Sequence, residues 1–253
     1  MGDGIYTALT GALANEHSLD VLANNLANAS TSGFRADRSV FGELLAGAQR
    51  NLPIDPRQPA PPRTDKFVRV ELNQLDMTPG ALRNTENPLD VGINGRGYFL
   101  VRTADGDLLT RAGNFRMRED GILINAEGAA VLDDNRDPIQ FRRDVRDIRF
   151  MADGTVRADD LEVAKLAVRD VADPAQLLRK GLTTYEVAPG TQLLKPENAE
   201  VVARHLEGSN VNVVSGMSQL INVNRSFDAI HKVIESFQQM DQRTARDIGS
   251  RTG

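Results

Sequence analysis

Two apolar stripes at helical spacing, one at each end of the chain, constrain this sequence more than anything between them. Over residues 5 to 27, Ile5, Leu9, Ala12, Leu19, Ala23 and Leu26 recur at steps that hold side chains on one helical face, with Leu13 and Leu22 beside them. Residues 213 to 237 repeat the pattern with Val213, Met217, Leu220, Phe227, Ile230, Ile234 and Phe237. An apolar helix stripe has to be covered. The two ends are therefore expected to cover each other or their copies in neighbouring subunits.

Composition narrows the function classes. The chain has 253 residues, 40% of them hydrophobic, which is enough for a folded core. Aromatics make up only 5% and tryptophan is absent, which argues against an aromatic-lined ligand pocket or a base-stacking surface. A net charge of −5 without a long Lys/Arg block argues against nucleic acid as a partner. The lack of cysteine removes disulfides, thiolate metal sites and thiol nucleophiles together. No run approaches the roughly 20 apolar residues of a membrane span, and Met1 to Leu13 does not read as a cleaved secretory leader.

Along the chain, the first helix is expected to end near Asn28, where Ala29-Ser30-Thr31-Ser32-Gly33 replaces periodicity with turn formers. Pro53, Pro56, Pro59, Pro61 and Pro62 make the following stretch an extended linker or arm. From Phe67 to about Phe150 the signals are β: alternation over residues 67–72, the run Tyr98-Phe99-Leu100-Val101, and the turn dipeptides Asp105-Gly106, Asp120-Gly121 and Asp153-Gly154. Short antiparallel strands in a twisted sheet or partial barrel follow. Leu161 to Val168 reads as a further strand, and Asp173-Pro174 as an acidic cap opening a short helical turn. Asn210 or Asn212 is the expected N-cap of a last helix reaching about Ile248. The fold class is α+β, with long terminal helices packed in a coiled-coil-like layer and an all-β antiparallel middle.

Catalytic and metal chemistry find little support. His17, His205 and His231 share no ligand spacing. Gly92-Ile93-Asn94-Gly95-Arg96-Gly97 leads into a strand and not a helix, so a turn with close backbone approach is the better reading than a phosphate cradle. The acidic groups Asp133, Asp134, Asp137 and Asp159, Asp160, Glu162 lack aromatic platforms for a sugar and read as polar loops. The chain is not expected to be an enzyme, and no cofactor or metal is expected.

Three stretches, in order, carry a resemblance. Residues 23–35, Ala-Asn-Asn-Leu-Ala-Asn-Ala-Ser-Thr-Ser-Gly-Phe-Arg, hold Asn24, Asn25, Asn28, Gly33 and Phe34; residues 87–99 and 110–115 form a central pair; residues 206–212, Leu-Glu-Gly-Ser-Asn-Val-Asn, precede the last helix. Together they resemble the bacterial flagellar axial proteins, the rod and hook family. Ser32 stands where that family commonly has proline before Gly-Phe, which implies a less rigid loop. The short length, Ile5-Tyr6-Thr7-Ala8, Asn28-Ala29-Ser30-Thr31 and Asp241-Gln242-Arg243 point to the proximal-rod branch, with the distal-rod branch as the alternative within the family. A soluble β-domain ligand-binding or carbohydrate-active protein with oligomerising helical ends is the alternative from another class.

The resemblance implies a structural subunit that polymerises through its terminal helices around the export channel of the flagellar rod. Its partners would be copies of itself, other proximal and distal rod proteins, and the flagellar type III export apparatus. Its place would be the basal body, in a rod crossing the periplasm, reached without a cleaved signal peptide. The expected organisation is residues 1–36 as an N-terminal helix and motif, 37–75 as the arm, 76–205 as the β domain and 206–253 as the C-terminal helix. The expected assembly interface is Ile5, Leu9, Leu13, Leu19, Leu22 and Leu26 on Val213, Met217, Leu220, Phe227, Ile234 and Phe237. Asn24, Asn25, Asn28, Asn222 and Asn224 would either fix register in those seams or face solvent and cap helices.

Overall fold

The run Tyr98-Phe99-Leu100-Val101 is apolar at every position, so alternating side chains send oil to both faces of whatever sheet contains it. In the computed structural model, which describes residues 2–39, 41–46, 65–70, 74–196 and 198–249, strand Tyr98–Thr103 has that place. Phe99 and Val101 enter one core with Leu108, Phe115, Leu123, Val131 and Ile139. Tyr98 and Leu100 enter a second with Leu109, Leu132, Leu177 and Tyr185. Edge-to-face aromatic pairs tighten each core: Phe99 with Phe115 at 5.2 Å between centroids, and Tyr98 with Tyr185 at 6.0 Å.

The chain divides into two compact units. One comprises Ala27–Ala36 and Leu75–Asn212, and it is all β with every described strand pairing antiparallel. Strand Tyr98–Thr103 pairs with Gly106–Thr110, Ala130–Val131 and Val168–Val171 inside a nine-stranded sheet. A three-stranded sheet of Ile148–Phe150, Thr155–Ala158 and Leu161–Lys165 packs Phe150, Val156 and Ala158 into the first core. The segment expected as one strand from Leu161 to Val168 is split, because Leu166 and Ala167 turn inward between Leu161–Lys165 and Val168–Val171. Asp173 caps a single turn at Pro174–Gln176 by accepting from Ala175 N at 3.0 Å, as its sequence suggests. Gly95 and Gly97 both have positive φ, and a Cβ on Gly95 would lie 2.5 Å from Asn198 O. That glycine-rich stretch is a tight turn.

Two Asp-Gly dipeptides close one recurrent turn. Gly121 N donates to Arg118 O and Arg118 N to Ile122 O, both at 2.9 Å, while Gly154 N reaches Met151 O at 2.9 Å and Met151 N reaches Thr155 O at 2.8 Å. Each glycine takes the left-handed residue that follows a type I turn in a three-residue hairpin loop. Asp133 to Asp137 form the same ring with Arg136 at φ 67 in the glycine position. A left-handed L residue costs roughly 1–2 kcal/mol, and glycine's greater freedom in the unfolded chain returns about half of that. Arg136→Gly is expected to stabilise the β unit by about 0.5–1 kcal/mol in urea titration.

The other unit comprises Met1–Leu26, Asp37–Gln74 and Val213–Gly253. It contains helix α1, Gly2–Ala27, and helix α2, Val213–Gly249. Within it Phe41–Ala46 and Asp65–Val70 form an antiparallel ladder running from Phe41 opposite Val70 to Ala46 opposite Asp65. These strands occupy part of the stretch expected as an extended arm; the prolines from Pro53 to Pro62 lie outside the described residues. Asn15 Nδ2 of α1 donates to Ser226 Oγ of α2 at 3.2 Å, and a Cβ on Gly11 would sit 3.6 Å from Ile230 Cδ1. Residue 11 near 230 and 15 near 226 makes the two helices antiparallel at that level.

Candidate assembly site

The three sequence stretches that carry the family resemblance converge in the β unit. Gly33 lies at φ 72, with space for a Cβ taken by Ala112 N at 2.3 Å. Only glycine fits there. Its N–H donates to Glu207 O at 2.7 Å, and the following Phe34 is fully buried with the Arg179 guanidinium 4.8 Å from its ring centroid. Arg35 then turns into the interior. Its Nη2 pairs with Glu207 Oε1 at 2.5 Å, and its Nη1 donates to Thr78 O. Arg111 Nη1 reaches Glu207 Oε2 at 3.0 Å from the other side, and its Nη2 donates to Gly95 O at 2.8 Å.

Glu207 is therefore a buried carboxylate between two buried guanidinium groups, and it also accepts from Gly80 N at 2.9 Å. Charged hydrogen bonds of this kind offset part of the desolvation that burial imposes. Tyr98 lies in the same region, with Arg111 5.2 Å from its ring centroid; burial pushes its phenol above the usual range. Asn210 completes the joint. Its Oδ1 accepts from Ala36 N at 2.7 Å, and its Nδ2 donates to Asp76 O at 2.8 Å and Thr78 O at 3.1 Å. Of the two expected N-cap candidates, Asn210 spends its amide on these three backbone groups, and Asn212 directly precedes the first residue of α2, Val213. Residues 33–36, 76–80, 93–95, 111 and 207–210 are held as one clamp.

In the helical unit, Asn25 is buried and uses its amide as a backbone surrogate. Its Oδ1 accepts from Asp37 N at 2.9 Å and its Nδ2 donates to Asp37 O at 2.8 Å. That is neither a solvent-facing role nor a helix seam. Asn28 accepts from Thr31 Oγ1 at 3.2 Å inside the turn after α1, and Asn24, Asn222 and Asn224 are exposed.

The helix faces differ from the expected ones in a definite way. On α1 the buried positions are Ala12, Ala14, Ser18, Val21 and Asn25, mostly small residues. Leu19, Leu22 and Leu26 are half-buried, and Leu9 and Leu13 are exposed. Ile5 lies in the helix with its side chain outside the described set. On α2 none of the described side chains is buried. The half-buried ones are Gly216, Leu220, Val223, Phe227, Ile230, Ile234 and Phe237, a heptad spacing held over three repeats. Val213 and Met217 are exposed, and the antiparallel register sets Leu9 and Leu13 level with residues near 230 of the same chain.

Sequence reasoning missed the clamp. Arg35, Arg111, Glu207 and Asn210 all sit inside the stretches singled out by resemblance, but nothing local marks a charge as buried when its partner is far along the chain. Charged residues fixed within otherwise glycine-rich and apolar motifs were the available signal.

Comparison with known proteins matches the same stretches of the chain to one family. Residues 5–35 match the family model described as flagella basal body rod protein, residues 92–158 the flagellar hook protein FlgE/F/G D1 domain, and residues 202–247 the flagellar basal body rod FlgEFG protein C-terminal region. The flagellar basal-body rod protein FlgF of Rhizobium meliloti is 33% identical over 98% of this chain and 99% of its own length. FlgF of Mesorhizobium japonicum is 29% identical with both chains fully covered. The flagellar basal-body rod protein FlgG of Agrobacterium fabrum is 29% identical over 95% of this chain and 97% of its own.

Proposed function

Because this chain belongs to the flagellar basal-body rod protein family and is a structural subunit of the basal-body rod, we propose that it occupies the proximal rod and polymerises through α1 and α2. The observation that carries this reading is the heptad stripe of α2, seven positions long and half-exposed throughout. A helix with an apolar face that its own chain leaves uncovered draws its stability from neighbours, since helical stability in water comes mainly from burying that face. Other rod proteins and copies of itself are the partners. The terminal helices would form the coiled-coil-like layer around the export channel. Export through the flagellar type III apparatus without a cleaved leader, and placement of the rod across the periplasm, belong to the same proposal.

FlgF-named relatives and the residues near both ends support the proximal position over the distal one. The family assignment does not favour the carbohydrate-active alternative. Deleting the gene is expected to stop rods short of the distal segment, as seen in purified basal bodies by electron microscopy. Rods of full length in the deletion strain would refute the proposal.

A further inference from the structure

Resting on the reading that α1 and α2 polymerise, we infer that the contact between successive copies is heterologous and staggered: the ridge Leu9–Leu13 of one copy seats on the ridge Val214–Met217–Ile221 of the next. Both ridges are uncovered in the single chain. Leu9 and Leu13 are 47% and 53% exposed, and Val214, Met217 and Ile221 are 77%, 50% and 52% exposed. At 100° per residue, Leu9 and Leu13 point opposite to the α1 face bearing Gly11, Asn15 and Ser18, and Val214, Met217 and Ile221 point away from the α2 heptad stripe. Each helix thus has one face toward its own partner helix and one apolar ridge turned outward.

The two ridges lie at different heights. Residue 11 faces 230 and 15 faces 226, so Leu9 and Leu13 stand level with residues near 232 and 228 of their own α2. Met217 and Ile221 are about eleven residues away, roughly 16 Å at the helical rise. Because the two ridges face away from each other, a copy seated on one cannot also reach the other, so the pairing does not close as a twofold dimer. It makes an open assembly in which each copy is displaced along the helix axis from the last.

Charge supports the same alignment. Glu16 and Asp20 continue the Leu9–Leu13 ridge and are exposed. With copies sharing one polarity, Leu13 against Met217 brings Glu16 and Asp20 to the start of the neighbour's α2. The first turn of α2 has no acidic residue of its own, and the partial positive charge of a helix start favours carboxylates.

The absence of cysteine makes the test direct. Leu13→Cys with Met217→Cys in one chain is to be oxidised in purified rods and run on a denaturing gel. The two positions lie on outward faces at different heights, too far apart for a bond within one chain. A ladder of covalent dimers and larger species is expected, and neither single variant should cross-link. Mixing copies that carry only Leu13→Cys with copies that carry only Met217→Cys should give dimers and nothing larger. Cross-linking by Leu13→Cys alone, or by Leu13→Cys with Asp228→Cys in place of the Met217 pair, would overturn the staggered contact while leaving polymerisation intact. Incorporation into rods without any Leu13–Met217 bond would overturn it as well. Absence of the wild-type protein from purified rods would overturn the underlying reading and the inference together.

Discussion

Glu207→Ala should cost the β unit about 3–5 kcal/mol, because it leaves the guanidinium groups of Arg35 and Arg111 buried with their shared carboxylate gone. With a urea slope of about 1–3 kcal/mol per molar, the unfolding midpoint read from the near-ultraviolet signal of the tyrosines should fall by on the order of 2 M. Glu207→Gln keeps the shape and the acceptor for Gly80 N but discards the charge, and it should lose most of the same stability. Replacing Arg35, Arg111 and Glu207 together by apolar residues of similar volume should recover much of the loss, since a buried ion network contributes less than the removal of one member suggests. A Glu207→Ala midpoint within about 0.5 M of the wild type would show that the carboxylate is dispensable.

Phe227→Asp should abolish incorporation into rods while the β unit remains folded. Phe227 is central in the α2 heptad stripe and stacks edge-on against His231 at 4.4 Å, but it is only half-buried, so the isolated chain has little to lose. Its cost falls on assembly. Burying an aromatic side chain contributes roughly 1.5–3 kcal/mol, and a carboxylate in its place adds a desolvation cost at every repeated contact. The measurements are motility, the amount of the variant in purified basal bodies, and the urea midpoint of the β unit. Normal incorporation of the variant would mean that the stripe is not an assembly surface.

The β unit was legible where each residue's neighbours in sequence decide its place. Tyr98 to Val101 announce a strand buried on both faces, and Asp120-Gly121 and Asp153-Gly154 sit at their turns because the left-handed backbone belongs to the dipeptide itself. The faces of the helices were only half legible. On α2 the large residues mark the stripe, and the heptad runs from Gly216 to Phe237 much as its spacing suggests. On α1 the inward face is Gly11, Ala14, Ser18 and Asn25, where close approach favours small side chains, while Leu9 and Leu13 turn outward. The clamp was illegible for a different reason. Arg35 and Glu207 are 172 positions apart in sequence, and only the folded chain shows that each is the other's counter-ion.

The hydrogen bond from Ala36 N to Asn210 Oδ1 has a mechanical consequence. Covalent tension from the α1 side reaches the β unit through residues 33–36, and tension from the α2 side through residues 207–210. These two segments are fastened to each other by Gly33 N to Glu207 O, by Arg35 to Glu207, and by Ala36 to Asn210. A pull along the backbone at both ends is therefore carried across a few short polar links, in shear, without passing through either hydrophobic core.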